Sequence, residues 1–140
     1  MNSFLIIAAV LNFVAALLHV LIIIFGPAWY RFFGAGERMA TMAEQGDIKP
    51  TIVTLMIAGA LSMFGLYALA GAGLKIPLPF VRLVLVLITS VYLLRSLALL
   101  PILRPAAQLP SPAFWTWSSL IVLGFGLVHL AGLVQRWPEL

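Results

Sequence analysis

Arg95, within the run VYLLRSLALL, is a cation set in a stretch otherwise apolar enough to cross a bilayer. A charge at membrane depth is costly and marks a functional position by default. Its chemistry allows two uses. The stem can cover apolar surface while the head snorkels to the interface, or the planar fork can face inward and hold a carbonyl, a carboxylate or a lipid phosphate. At 1.5 Å of rise per residue, Arg95 lies about 6 Å from the midpoint of its stretch, toward the side of the longest connection.

Other polar residues fall into layers when depth is counted the same way. His19, Arg95, Ser118 and Ser119 lie toward the long-connection side, with Tyr92 near the midplane, while Asn12, Tyr67 and His129 lie toward the side of the termini. Asn12 and His19 share one helix face, with Ala15 and Ala16 between them. His129 shares a face with Gly126, Gly132 and Ser119, and a second small-residue stripe runs through Ala58, Ser62, Gly65 and Ala72. Such stripes let helices approach closely and read as packing seams. The two histidines differ by about 12 Å in depth, which disfavours bis-histidine ligation of one haem. Zinc needs three or four ligands from His, Cys, Asp or Glu, and no such set emerges. The chain has no cysteine, so disulfides, thiolate metal sites and cysteine nucleophiles are excluded. No metal and no cofactor are expected. None of the apolar stretches contains Asp or Glu, which disfavours a cation-coupled transporter.

The acids lie elsewhere. GPAWYRFFGAGERMATMAEQGD, residues 26–47, contains Glu37, Glu44 and Asp47, leaving only Glu139 outside it. Gly34 and Gly36 break the chain after an aromatic cluster, and GERMATMAEQG then reads as a short helix with Gly46 as its C-cap. Met39, Met42 and Ala43 are expected to face the bilayer, with Glu37, Thr41 and Glu44 turned away, so the segment would lie along the membrane surface. Its plain role is a solvated elbow in which Arg38 offsets Glu37. Its functional role would place Glu37 or Glu44 over the layer of His19 and Arg95, to orient the imidazole or act as a general base.

These residues need a scaffold, and composition defines it. The 140 residues are 64% hydrophobic and 9% charged, against about 25% charged in soluble domains, so lipid must be the solvent. Spanning a bilayer takes about 20 apolar residues in a helix, and four stretches qualify, at 4–25, 51–74, 80–100 and 114–134. The nine prolines all sit at or beyond the edges of these stretches, as their exclusion from helix interiors requires. The fold class is therefore an all-α integral membrane protein, a single domain over 1–140. Its four transmembrane helices form an antiparallel bundle, and a short interfacial helix lies in the first connection. The short link over 75–79 makes the second and third helices antiparallel neighbours. The first stretch lacks a basic n-region and is too long for a signal-peptide core, so it reads as a retained helix.

The eight Lys and Arg residues are scattered, which excludes the clustered basic face that nucleic acid needs. Lys75, Arg82 and Arg136 share the side of the termini, and Arg31, Arg38, Lys49 and Arg104 the other. The positive-inside rule then places both termini outside, in what is expected to be a bacterial inner membrane. Trp29, Tyr30, Phe32, Phe33, Phe114, Trp115 and Trp117 mark one interface and Trp137 the other, as aromatic belts do.

The layout resembles that of the membrane-associated proteins of eicosanoid and glutathione metabolism, which are trimeric four-helix proteins with a polar loop after the first helix. Their loop carries a Glu-Arg pair ahead of an Arg-x3-Asn-x2-Glu motif. Here ERMATMAEQGDIKP supplies Glu37, Arg38 and Glu44, but Thr41 stands at the asparagine and Glu37 at the arginine, so glutathione binding does not carry over. The emopamil-binding isomerases are similar in helix count, but their intramembrane acids are missing here.

Two functions are compatible with these residues. One is a non-enzymatic bundle that binds a lipid-like ligand or partner helices through its small-residue seams, Arg95 holding an anionic group. The other is a lipid-active or glutathione-type membrane enzyme using Arg95, His19 and Glu37 or Glu44. The expected partners are membrane lipid and, for the seams, further copies of the chain or subunits of a larger membrane complex. The first reading is favoured because no nucleophile–base pair emerges.

Overall fold

The computed structural model describes residues 1–104 and 112–140, and it is all-helical, with no strand among the described residues. The element order is α1 (Ser3–Phe25), α2 (Pro27–Phe32), α3 (Glu37–Glu44), α4 (Lys49–Ala72), α5 (Val81–Ser96) and α6 (Pro112–Arg136). Short 3₁₀ turns follow α5 at Leu97–Leu99 and Pro101–Leu103, and another follows α6 at Trp137–Glu139. Four helical segments are long and apolar enough to cross a membrane: Ser3–Phe25, Lys49–Ala72, Val81–Leu99 and Pro112–Glu139. Between 22% and 33% of the most apolar window of each span is buried inside the protein. Residues such as Ile7, Val10, Val14 and Leu17 on α1 therefore point outward, as side chains do when the solvent is hydrocarbon.

The helix ends follow local chemistry. Asn2 caps α1, its Oδ1 accepting the Leu5 N–H at 2.9 Å; this satisfies one of the orphan donors of the first turn. Pro27, Pro50 and Pro112 each fall in the first turn of a helix, where the missing N–H has no partner to lose. Pro105 and Pro110 lie outside the described residues. The third apolar stretch differs from its expected extent of 80–100, because α-helical geometry stops at Ser96. Pro101 explains this. A residue before proline is driven out of the α region, Leu100 is extended at φ −78° and ψ 120°, and the turn ahead of it tightens to 3₁₀.

α1 packs most extensively along α4, and α5 along α6; the contact of α4 with α5 across the short link is smaller. The short connection therefore does not make α4 and α5 the principal partners. Loop length limits how far apart two helices may lie, whereas small residues decide where backbones can approach. Gly132 on α6 shows this: a Cβ there would stand 2.5 Å from Leu5 Cγ of α1. Leu5, Ala72, Leu85, Ile88, Tyr92 and Leu133 make the main buried cluster. The same end of the molecule is cross-tied by polar contacts. Asn2 Nδ2 donates to Gln135 Oε1 at 2.7 Å, and Arg136 Nε donates to Gly71 O at 3.1 Å.

At the other end, Ile22, Tyr30 and Ala40 form a smaller cluster against which Trp29, Phe33, Met39 and Ala43 pack. Met39 and Ala43 of α3 thus pack, half-buried, against this cluster. Gly34 and Gly36, both at positive φ, reverse the chain and fold α3 back onto α2 and α4.

Candidate functional site

α5 and α6 position Arg95. Ser118 and Ser119 occupy successive places on α6, and Trp115 lies one turn earlier on the same face. Arg95 Nη1 donates to Ser119 Oγ at 3.1 Å and Nη2 donates to Ser118 Oγ at 3.0 Å. The guanidinium lies over the Trp115 ring, 4.7 Å from its centroid, within the range of a cation–π contact. Ser119 is fully buried. A recess of about 330 Å³ opens at this point, lined by Leu94, Arg95, Leu97, Ala98, Leu103 and Trp115.

The charge of Arg95 has no carboxylate to balance it. All four acids of the chain are engaged elsewhere: Glu37 and Glu44 with Arg31, Asp47 with Lys49, and Glu139 with Arg136. Two serine hydroxyls and a ring face stabilise the cation by dipoles alone. A guanidinium has five N–H donors, and two are used here. Trp115 Nε1 is sealed from water and has no acceptor among the described residues. An orphan donor of this kind costs about 1–3 kcal/mol. Three N–H groups of Arg95 thus remain without a partner among the described residues. Trp115 was expected only as an interface aromatic; its place one turn before Ser118 and Ser119 was the available signal.

Tyr92 belongs to a different group. Its hydroxyl donates to Asn12 Oδ1 at 2.5 Å, and Asn12 Nδ2 lies 3.3 Å from His129 Nε2. His129 Nδ1 donates to Phe125 O at 2.8 Å. Asn12, Tyr92 and His129 thus join α1, α5 and α6 in one buried polar cluster. Tyr67 is not part of it, since its hydroxyl donates to Pro79 O at 3.2 Å. His19 is half-buried, and its Nδ1 donates to Ala15 O at 2.7 Å. This leaves Nε2 as an acceptor without a partner among the described residues. Among those residues no three His, Cys, Asp or Glu side chains converge on a point that could hold a metal ion.

Glu37 and Glu44 form a third group. Arg31 Nε and Nη2 donate to the Glu37 carboxylate, Nη2 at 2.7 Å, and Nη1 donates to Glu44 Oε1 at 2.7 Å. The partner of Glu37 is therefore Arg31, not the adjacent Arg38. The two glutamates are seven residues apart on α3, nearly two turns and one face; the reversal at Gly34 brings α2 across that face. Neither carboxylate is bonded to His19 or Arg95.

The hydrogen bonds from Arg31 hold the Glu37 carboxyl below the usual glutamate range, and the two carboxylates raise Arg31 above its already high range. A carboxylate lowered in the folded state stabilises it above the ordinary glutamate value, and that contribution is lost as pH falls through the lowered one. Acidification below the ordinary glutamate range should therefore lower the protection factors of the α3 amides, measured against the intrinsic exchange rate at each pH, while those of α1 and α4 hold. Glu37→Gln should show that loss of protection already at neutral pH. Equal α3 exchange in the variant and the parent at neutral pH would mean that the clasp does not hold α3 in place.

No family model, curated protein or solved structure matches this chain. The class defined by fold and composition is an all-helical protein with four candidate membrane spans. Its functional reading rests on the side chains described above.

Proposed function

We propose that this is a non-enzymatic membrane protein that holds the anionic group of a lipid-like ligand at Arg95. The supporting observation is a guanidinium with free donors and no counter-charge, in a recess whose other walls are apolar. A chain-bearing anion satisfies both parts: its charged group meets Arg95, and its hydrocarbon continues along Leu94, Leu97 and Leu103. In this reading the four spans form an antiparallel bundle in a bacterial inner membrane with both termini outside, and α3 lies at headgroup level. Homo-oligomerisation or entry into a larger membrane complex would use the small-residue seams. The enzymatic alternative, with Arg95, His19 and Glu37 or Glu44 acting together, requires a glutamate to leave Arg31.

Arg95→Ala should reduce co-purified anionic lipid in native mass spectrometry by about tenfold, the factor expected from losing one charge-assisted contact. Arg95→Lys should fall between, because it keeps the charge but not the fork. Retention unchanged in Arg95→Ala would count against the proposal.

A further inference from the structure

A second cation stands beside the recess. Arg104 Nε donates to Ala98 O at 3.0 Å, and its Nη2 donates to Leu99 O at 3.2 Å and to Thr116 Oγ1 at 3.3 Å. Ala98 and Leu103 both line the recess, so the guanidinium is tied to its wall. Thr116, which receives Arg104, and Ser119, which receives Arg95, are three residues apart on α6. Residues at that spacing are neighbours on a helix surface, about 5–6 Å apart at Cβ. The two arginines therefore converge on one patch of α6 from the end of α5 and the turn that follows it. Neither has a carboxylate, because all four acids are engaged elsewhere and residues 105–111 contain none.

A site with two positive charges and no negative one is matched by a dianion. A carboxylate or a phosphodiester brings a single charge and leaves one guanidinium uncompensated. A phosphomonoester carries up to two charges, with its second ionisation near pH 6, and adjacent cations favour the doubly ionised form. Its three terminal oxygens also exceed the two of a carboxylate, with unused N–H donors on Arg95 in the recess wall and on Arg104 beside it. We infer that the recess selects a phosphomonoester, with Arg104 as the residue that sets the preference for two charges over one. This rests on the reading that Arg95 holds an anion.

The test reconstitutes the full chain in phosphatidylcholine nanodiscs doped equally with phosphatidic acid, phosphatidylglycerol or oleic acid, and measures retained lipid by native mass spectrometry. Phosphatidic acid should be retained roughly tenfold better than phosphatidylglycerol, the order of effect of one added charge near a protein surface. Arg104→Gln should remove that preference, and Arg104→Lys should restore part of it. Because Arg104 also ties down the carbonyls of Ala98 and Leu99, thermal melting of each variant separates a misfolded protein from an altered preference. In the parent chain, equal retention of phosphatidic acid and phosphatidylglycerol, or best retention of oleic acid, would overturn the inference. If Arg95→Ala still abolished anionic lipid retention in that case, the anion-holding reading would survive and only the dianion preference would fall. Unchanged retention in Arg95→Ala would remove both. Addition of inorganic phosphate distinguishes the source: displacement at millimolar concentration supports the same dianion chemistry with free phosphate as ligand, and persistence of the lipid supports a headgroup.

Discussion

Asn12→Ala is expected to destabilise the protein by about 2–4 kcal/mol, read as a lowered melting temperature in detergent, although it removes only a small amide. The reason lies in what the amide connects. His129 Nδ1 faces a backbone carbonyl, Phe125 O, at 2.8 Å, so the ring proton is on Nδ1 and Nε2 is an acceptor. One Asn12 Nδ2 hydrogen can then go to Nε2 at 3.3 Å and the other to Ala8 O at 2.8 Å, while Oδ1 accepts from the Tyr92 hydroxyl. Every polar atom of the amide has a partner, and Asn12 and His129 are completely buried.

Alanine would leave the Tyr92 hydroxyl without an acceptor and His129 Nε2 without a donor. Interhelical hydrogen bonds in membranes average only about 0.6 kcal/mol in double-mutant cycles, so the bonds alone would not produce the effect. The larger contribution is the desolvation of two stranded groups, about 1–3 kcal/mol each. This asymmetry provides the check. Replacing Asn12, Tyr92 and His129 together by Leu, Phe and Leu should cost less than Asn12→Ala alone, because no group is left unpaired. If the triple variant melts below the single one, the cluster is stabilising through its bonds and this account is wrong.

How much of this could be read from residue order varies with the kind of constraint. The four spans are visible because apolar runs and prolines are local signals, and hydrocarbon tolerates little else. Depth is also readable: counting rise per residue puts Arg95, Ser118 and Ser119 at one level, and hydrogen bonds join them. Rotation about the helix axis is not readable in the same way. Tyr92 is three residues from Arg95 and both lie against α6, yet the Tyr92 hydroxyl bonds Asn12 on α1 while Arg95 bonds only α6 among the described residues. Chain reversal hides partners too. Arg38 is adjacent to Glu37 in sequence, but the turn at Gly34 presents Arg31 to Glu37 and Glu44 instead. Arg104 reads in sequence only as a loop charge, because its partners in the 3₁₀ turn after α5 and on α6 are set by the ending that Pro101 imposes.

Gly34→Ala is the other substitution expected to have a large effect, about 2–4 kcal/mol, and the chain contains its own control. Gly34 and Gly46 close α2 and α3 with the same motif. Gly34 N donates to Arg31 O and Ala35 N to Tyr30 O; Gly46 N donates to Ala43 O and Asp47 N to Met42 O. These paired bonds are the Schellman arrangement, which puts its C′ residue at positive φ, here 76° and 74°. The backbone penalty for alanine should thus be nearly equal at the two sites, about 1–2 kcal/mol. Their surroundings differ. A Cβ at Gly46 would meet nothing within 4 Å, whereas one at Gly34 would overlap the ring of Phe114. Overpacking of that kind adds about 1–3 kcal/mol, so Gly34→Ala should be the more damaging by that amount, and Phe114→Leu in the same chain should recover part of the difference. The displacement should also reach the anion site, because the Phe114 ring sits edge-on to Trp115 at 5.9 Å and Trp115 lies under Arg95. Gly34→Ala should therefore lower anionic lipid retention while Gly46→Ala leaves it near the parent level. Equal melting and equal retention in the two variants would show that the Phe114 contact neither holds the α2–α3 turn nor supports the Arg95 recess.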